Sequence, residues 1–231
     1  MAEYRVLDLF AGLGGFSQAF EESERWGVVT VDKNPRFDTD KRADVFDLRP
    51  SDFDREFHVV LAGTPCTVFT PARNMTEGGD DAWDGDDPNT DKSRDLVALA
   101  YHTLGLIRGL APEYWFVENP VGRLRSIIGQ PEATITQCQY GRAHQKPTDL
   151  WGDHPPMTYR RCSPGDMCHE TTGSYSPDES QPRLGVLGES DDPAVRSALP
   201  YELSESIRDA CEAALDGDEP VQTTAGEWID A

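Results

Sequence analysis

Two residues carry the most chemical content in this chain. Cys66 lies in GTPCTVFT, directly after the apolar stretch FHVVLAG, and Glu118 follows a second apolar stretch in YWFVENP. A thiol that leaves a strand on a turn can act as a nucleophile. A carboxyl in a desolvated pocket can donate a proton or hold a hydrogen bond, because burial raises its pKa. The plainer readings are an inert buried thiol and an acid that anchors a loop. A third group is DLFAGLGG, whose glycines allow the backbone to approach a ligand closely, with Asp8 tying the loop or meeting a charged ligand group. In GLGGFS, Ser17 stands where the third glycine of a dinucleotide fingerprint belongs, and Asp32 lies 18 residues after Gly14, suited to ribose hydroxyls. An adenosine-containing cofactor follows.

The elements that must position these residues read as strands alternating with helices. YRVLDLF, GVVTVD, FHVVLAG, YWFVENP and ATITQCQYG are candidate strands, ADVFDL is a short strand or strand end, and a helix is expected from the glycine turn through FSQAFEESE. A second helix runs over residues 93–112, closed by Pro112, and a third over PYELSESIRDACEAAL. Residues 71–92, rich in Gly, Pro and acids, read as a long mobile loop. The alternation predicts a mostly parallel sheet covered on both faces, with ligands bound at the carboxyl edge of its strands. The glycine turn, Asp32, Asp44, Cys66 and Glu118 should then share one edge.

Forty-two acids against 21 bases give a formal charge of −21, and only four of the bases are lysines. The acids are spread over every segment, which reads as adaptation to a cytoplasm of molar salt, where the Debye length falls to about 3 Å. Under those conditions an acidic balance says little against nucleic acid as a partner. The five cysteines are an odd number and scattered, the N-terminus lacks a basic region followed by an apolar core, and no apolar run approaches the ~20 residues that span a bilayer. A reduced cytoplasmic protein with no membrane partner is expected.

DLFAGLGGF, GTPC and ENP, in this order and spacing, resemble the cytosine-C5 DNA methyltransferase family over residues 4–141 and 195–212. The resemblance implies an α/β, Rossmann-like class I methyltransferase fold: a catalytic domain over 1–151, a small irregular target-recognition region over 152–195, a helix over 196–216 returning to the catalytic domain, and an acidic tail over 217–231. It implies S-adenosylmethionine as cofactor, lined by Asp8, Phe10, Ala11, Gly12, Leu13, Gly14 and Gly15, with Asp32 on the ribose, Asp44 on the adenine amine and Ser197 as a further contact. Cys66, beside Pro65, would add to C6 of a flipped-out cytosine while Glu118, next to Asn119, holds or protonates N3. Duplex DNA is the implied partner of a monomer, with a cognate restriction endonuclease as a further candidate.

The chain also departs from the family pattern. Thr67 replaces a glutamine after Pro-Cys, and QCQYGR keeps Gln137 but puts Gln139 and Gly141 at arginine positions, where Arg142 is the candidate substitute. Arg196 and Ser197 replace Gly-Asn. Arg73, Gln137, Arg142, Arg160, Arg161 and Arg183 are candidate DNA contacts. Cys162, Cys168 and His169, with His154 nearby, form an alternative zinc set, but C-x5-C-H is not a standard spacing and a loop with incidental sulfurs is the expectation. Structured RNA as substrate, a non-catalytic DNA-binding homologue and a nicotinamide dehydrogenase are the competing functions. The missing third glycine and the Pro-Cys turn speak against the last.

Overall fold

The computed structural model describes residues 2–70, 82–163, 166, 168–169, 190 and 192–217. Its strands are β1 (Tyr4–Leu9), β2 (Trp26–Asp32), β3 (Lys41–Arg42), β4 (Val59–Gly63), β5 (Trp83–Asp84), β6 (Asp87–Pro88), β7 (Tyr114–Pro120), β8 (Ala133–Thr136) and β9 (Pro147–Trp151). Its helices are α1 (Gln18–Glu21), α2 (Asp91–Leu110), α3 (Leu124–Ile128), α4 (Pro193–Ser197) and α5 (Tyr201–Leu215). Seven strands form one sheet in the order β3-β2-β1-β4-β7-β9-β8. Pairing is parallel from β3 to β7, and β9 runs antiparallel to both β7 and β8. The expected α/β, Rossmann-like class with a mostly parallel sheet is the observed one.

The strands are apolar on both faces because helices cover both. Side chains alternate along a strand, so Leu7, Leu9, Val60, Ala62 and Val117 enter one apolar layer with Leu99, Leu106 and Ile107 of α2. Tyr4, Val6, Val59, Leu61 and Phe116 enter the other with Leu203, Ile207 and Cys211 of α5. The α2 helix starts at Thr90, whose hydroxyl accepts from the Ser93 N–H at 3.1 Å, and it ends at Ala111 in the left-handed region, one residue before Pro112. Helix α5 returns to the first half of the chain. Ser204 Oγ donates to the Phe16 carbonyl at 2.7 Å and accepts from Ala19 N–H at 3.1 Å, so α5 braces the glycine turn from behind.

Four expected elements are corrected. ADVFDL is a 3₁₀ turn over Val45–Asp47, because Asp44 folds back to accept from the Phe46 N–H, and the edge strand is Lys41–Arg42. The strand expected over 133–141 stops at Thr136, where Gln137–Tyr140 turns in a 3₁₀ helix closed by Gly141. The first helix is a single turn, Gln18–Glu21. Within the expected loop 71–92, residues 83–88 form the β5–β6 hairpin, pinned by Trp83 Nε1 donating to the Val68 carbonyl at 2.8 Å. Strand β9 was not anticipated, since PTDLW has neither an apolar run nor clean alternation. Among the described residues no helix is long and apolar enough to cross a membrane.

Candidate active site

The carboxyl ends of β1, β2, β4 and β7 lie side by side, and each delivers one chemical group. Asp8 pairs in register with Thr30 and Leu61, and Gly63 with Glu118. Because Leu61 and Phe116 face the α5 layer, alternation puts Asp8, Asp32 and Glu118 on that same face at one edge.

Glu118 is 5% exposed and its Oε2 lies 3.9 Å from where a Cβ on Gly63 would be, so the carboxylate leans over the exit of β4. Burial pushes Glu118 up to about 7, with Asp149 adding to the rise and Lys146 and Arg142 opposing it. Three residues after Gly63, half-buried Cys66 opens a turn, its carbonyl accepting from the N–H groups of Phe69 and Thr70. Burial pushes the Cys66 thiol up, the Lys146 ammonium pulls it down, and the charge of Glu118 pushes it up again. Thiol and carboxyl therefore share one electrostatic environment. The chain around them is locked: Asn119 Nδ2 donates to the Thr64 carbonyl at 2.9 Å and to its Oγ1 at 3.1 Å, while Thr64 N–H donates to the Glu118 carbonyl at 3.2 Å.

The glycine turn sits beside this pair. Asp8, 1% exposed, accepts from Ser17 Oγ at 2.7 Å, and burial pushes its carboxyl up to about 7 against that hydrogen bond. Asp32 holds the turn by accepting from the Gly12 N–H at 3.0 Å and from the Asn34 N–H at 2.8 Å. Phe10 adopts φ 63°, a left-handed conformation rare for an aromatic residue, where β1 breaks into the turn. Beyond Ala11, a Cβ on Gly14 would meet nothing within 4 Å and one on Gly12 only the Phe10 carbonyl, and Leu13 is 53% exposed. Gly15 differs. A Cβ there would lie 2.7 Å from the Leu199 nitrogen, so its bareness serves packing against the C-terminal segment.

Three buried side-chain oxygens lack a hydrogen-bond partner among the described residues: Asp8 Oδ1, Glu118 Oε1 and Asn119 Oδ1. All three belong to this strand edge. Orphaned buried oxygens are costly and mark groups that a ligand can satisfy. With the open space over Gly12 and Gly14 and the carboxylate of Asp32, they fit a nucleoside-bearing ligand at this edge. Asp44 lies at the same edge, where partial burial is outweighed by Lys33 Nζ at 2.9 Å and the Phe46 N–H, which hold it below the usual carboxylate range.

The remaining expected site residues divide. Gln137 is fully buried, donates to Thr148 Oγ1 at 2.9 Å and accepts from Arg142. Arg142, 8% exposed, also donates to the carbonyls of Val195, Arg196 and Ala198, so these two clamp the C-terminal segment instead of facing a nucleic acid. Arg160 stacks over Tyr140 at 4.1 Å and pairs with Glu202 at 3.0 Å. Arg161 and Ser197 are exposed, and Arg73 and Arg183 lie outside the described residues. His154 is stacked on Phe116 at 4.5 Å and hydrogen-bonded to Tyr159 at 3.3 Å, away from Cys162 and Cys168, which is a correction to the candidate metal set.

Sequence reasoning missed three residues. Lys146, whose Nζ donates to the Arg196 carbonyl at 3.1 Å, acts on both Cys66 and Glu118, and its only signal was scarcity, as one of four lysines. Phe46, 48% exposed and stacked on His102 at 5.2 Å, offers an aromatic face beside Asp44. Gly122 lets the turn after Cys66 approach the exit of β7, since a Cβ there would lie 2.1 Å from the Phe69 carbonyl oxygen.

No protein-family model matches the chain, and no curated protein matches it. Among solved structures it is similar to a prophage-encoded E. coli protein named as a DNA modification methyltransferase, at 15% identity and TM-score 0.44, over 64% of this chain and 46% of that one. It is also similar to the Entamoeba histolytica methyltransferase EhMeth, at 10% identity and TM-score 0.47, over 71% of this chain and 58% of that one. The chain spans about half the length of these two structures.

Proposed function

We propose that the chain is an S-adenosylmethionine-dependent methyltransferase that modifies C5 of a cytosine flipped out of duplex DNA, through a covalent bond to Cys66. The observation that carries the proposal is the pairing of Gly63 with Glu118, which brings a nucleophile and a proton-holding carboxyl from distant sequence to adjoining strand ends.

A carboxyl with a pKa of about 7 can hold a proton at neutral pH, and the half-buried Cys66 thiol must give its proton up to react. The two share one proton usefully: it moves from Cys66 Sγ to Glu118, the thiolate bonds to C6 of the pyrimidine, and Glu118 gives the proton to N3. The C5–C6 double-bond electrons shift toward N3 and leave C5 electron-rich. Lys146 favours the thiolate. S-adenosylmethionine, when bound, supplies a methyl group on a cationic sulfur. Asp8, the Gly12–Gly14 turn and Asp32 would hold that cofactor, with Phe10 and Phe46 offering aromatic faces to its adenine and Asp44 an acceptor to its amine. Loss of the C5 proton to water then restores the C5–C6 double bond and expels the thiolate, while N3 returns its proton through Glu118 to Cys66. The base must leave the stack to reach a thiol on a turn, at a cost of a few kcal/mol in pairing and stacking.

The test is incubation of the purified chain with methyl-labelled S-adenosylmethionine and either duplex DNA or structured RNA. Label in C5 of cytosine in DNA, absent with Cys66→Ser, supports the proposal. Label in RNA alone would change the substrate, and none in either would remove the enzymatic reading.

A further inference from the structure

Cys138, Cys162, Cys168 and His169 come together outside the strand edge described above, each offering one ligand atom, with all four atoms within 4.8 Å of one another. They come from three stretches of chain. Cys138 lies in the turn after β8. Cys162 is set opposite it because residues 158–162 are laid along that turn: Thr136 N–H donates to the Arg160 carbonyl at 3.1 Å, Arg160 N–H to Tyr140 Oη at 3.0 Å, and Cys162 N–H to Thr136 Oγ1 at 2.6 Å. Cys168 and His169 follow Asp166, whose N–H donates to the Ser163 carbonyl at 3.1 Å.

We propose that these four residues bind one zinc ion as a closed Cys₃His structural site. In a tetrahedral site with Zn–S of about 2.3 Å and Zn–N of about 2.05 Å, neighbouring sulfurs lie about 3.8 Å apart and sulfur and nitrogen about 3.6 Å apart. Cys168 Sγ is 3.7 Å from Cys138 Sγ and 3.4 Å from His169 Nδ1. The sulfur separation is far beyond the ~2.05 Å of a disulfide. Soft thiolates with one imidazole, packed this closely, suit a single zinc in preference to a hard cation that takes oxygen ligands. Gln145 Nε2 donates to Cys162 Sγ at 2.7 Å, the kind of outer hydrogen bond that orients a ligating thiolate. With zinc, the start of the region expected to read the target is tied to the turn next to Gln137.

The site is read by metal content, so it stands or falls separately from methyl transfer. The full chain, purified from zinc-supplemented cells without a metal-affinity tag, should carry about one equivalent of zinc by plasma mass spectrometry, as one tetrahedral site requires. Cys162→Ser should lose most of it. Cys168 is exposed and His169 half-buried, so Cys168→Ser and His169→Ala remove ligands without opening the core and should also lose it, whereas Cys66→Ser should keep it. Cobalt in place of zinc should give the visible absorption of a tetrahedral thiolate site. A zinc-free wild type, zinc retained at full occupancy by Cys168→Ser and Cys162→Ser, or a thiol titration in denaturant without reductant that finds three thiols instead of five would each overturn the proposal.

Discussion

The side-chain amide of Asn119 donates to the main-chain carbonyl of Thr64 at 2.9 Å, two residues before Cys66. The strand that carries Glu118 thereby also sets where the thiol leaves the sheet. Asn119→Ala removes this tie and leaves the buried Thr64 carbonyl without that donor, a loss of about 1–3 kcal/mol. For a domain of this size each kcal/mol is roughly 2–4 °C in Tm, so a drop of several degrees by calorimetry is expected. Single-turnover methylation should fall further than the lost stability accounts for, with cofactor affinity little changed.

Cys66→Ser should abolish turnover and leave S-adenosylmethionine affinity within a few fold, because the residues proposed to hold the cofactor lie on or just after β1, β2 and β3. Titration calorimetry checks this. A large loss of affinity would mean that the thiol supports the fold. Asp32→Ala should do the reverse and weaken cofactor binding by about 10- to 100-fold, the value of one or two hydrogen bonds to a charged group, both through the ribose and through release of the Gly12 N–H.

The pH dependence of stability has a definite sign. Glu118 sits at about 7 against an ordinary 4.5, and Asp8 at about 7 against 3.8. Below their ordinary values both carboxyls are protonated, folded and unfolded, and neither costs anything. As pH rises toward 7 the unfolded chain ionises first, so stability falls across that window and the cost stays constant above it. Shifts of this size correspond, as upper bounds, to roughly 3 kcal/mol for Glu118 and roughly 4 kcal/mol for Asp8. Denaturant unfolding at pH 5 and pH 8 should therefore show wild type losing more stability than Glu118→Gln or Asp8→Asn. Parallel losses in all three would mean that the carboxyls are solvated.

Activity should rise from low to molar salt. Forty-two acids against 21 bases repel one another in dilute buffer, and salt removes that repulsion. Binding to DNA should also lack the steep loss of affinity with salt, roughly 10³- to 10⁵-fold between 50 and 200 mM, seen when 6 to 10 phosphates are neutralised by basic side chains. An activity maximum at low salt would remove the halophilic explanation of the charge.

Much of this site was legible in the sequence because apolar strands end abruptly in polar residues. The glycine turn, Asp32, Cys66 and Glu118 could each be placed at a strand end, and a parallel sheet has only one carboxyl edge to put them on. What stayed hidden depends on contacts between distant segments. PTDLW hides its strand because Asp149, 0% exposed, is neutralised by Arg125 at 2.6 Å, from a helix 24 residues earlier. Cys138 is one of five scattered cysteines, and nothing in its own neighbourhood announces that Cys162, Cys168 and His169 come together with it. Arg142 and Gln137 read as nucleic-acid contacts by position, and only the path of residues 195–198 reveals them as a clamp.

Gly122 separates packing from chemistry. Its missing side chain makes room for the Phe69 carbonyl oxygen, which would lie 2.1 Å from a Cβ, and for Thr70, on the turn that begins at Cys66. Both neighbours are backbone, so Gly122→Ala cannot be absorbed by a rotamer change and must push the thiol-bearing turn away from β7. Overpacking of this kind costs about 1–3 kcal/mol, occasionally more. The stability loss should be survivable, while methyl transfer, which depends on Cys66 and Glu118 meeting one ring, should fall at least 100-fold, because misplacement by about 1 Å is enough for that. Gly14→Ala is the contrast. Open space surrounds its Cβ, but φ of 78° strains any side chain there, and the added methyl enters the space assigned to the cofactor. It should raise the Kd for S-adenosylmethionine, leaving Cys66 as alkylable by iodoacetamide as in wild type, whereas Gly122→Ala should change that alkylation rate and spare the Kd. If the two variants behave alike in both measurements, the glycine turn and the cysteine turn are not the separate halves of one site.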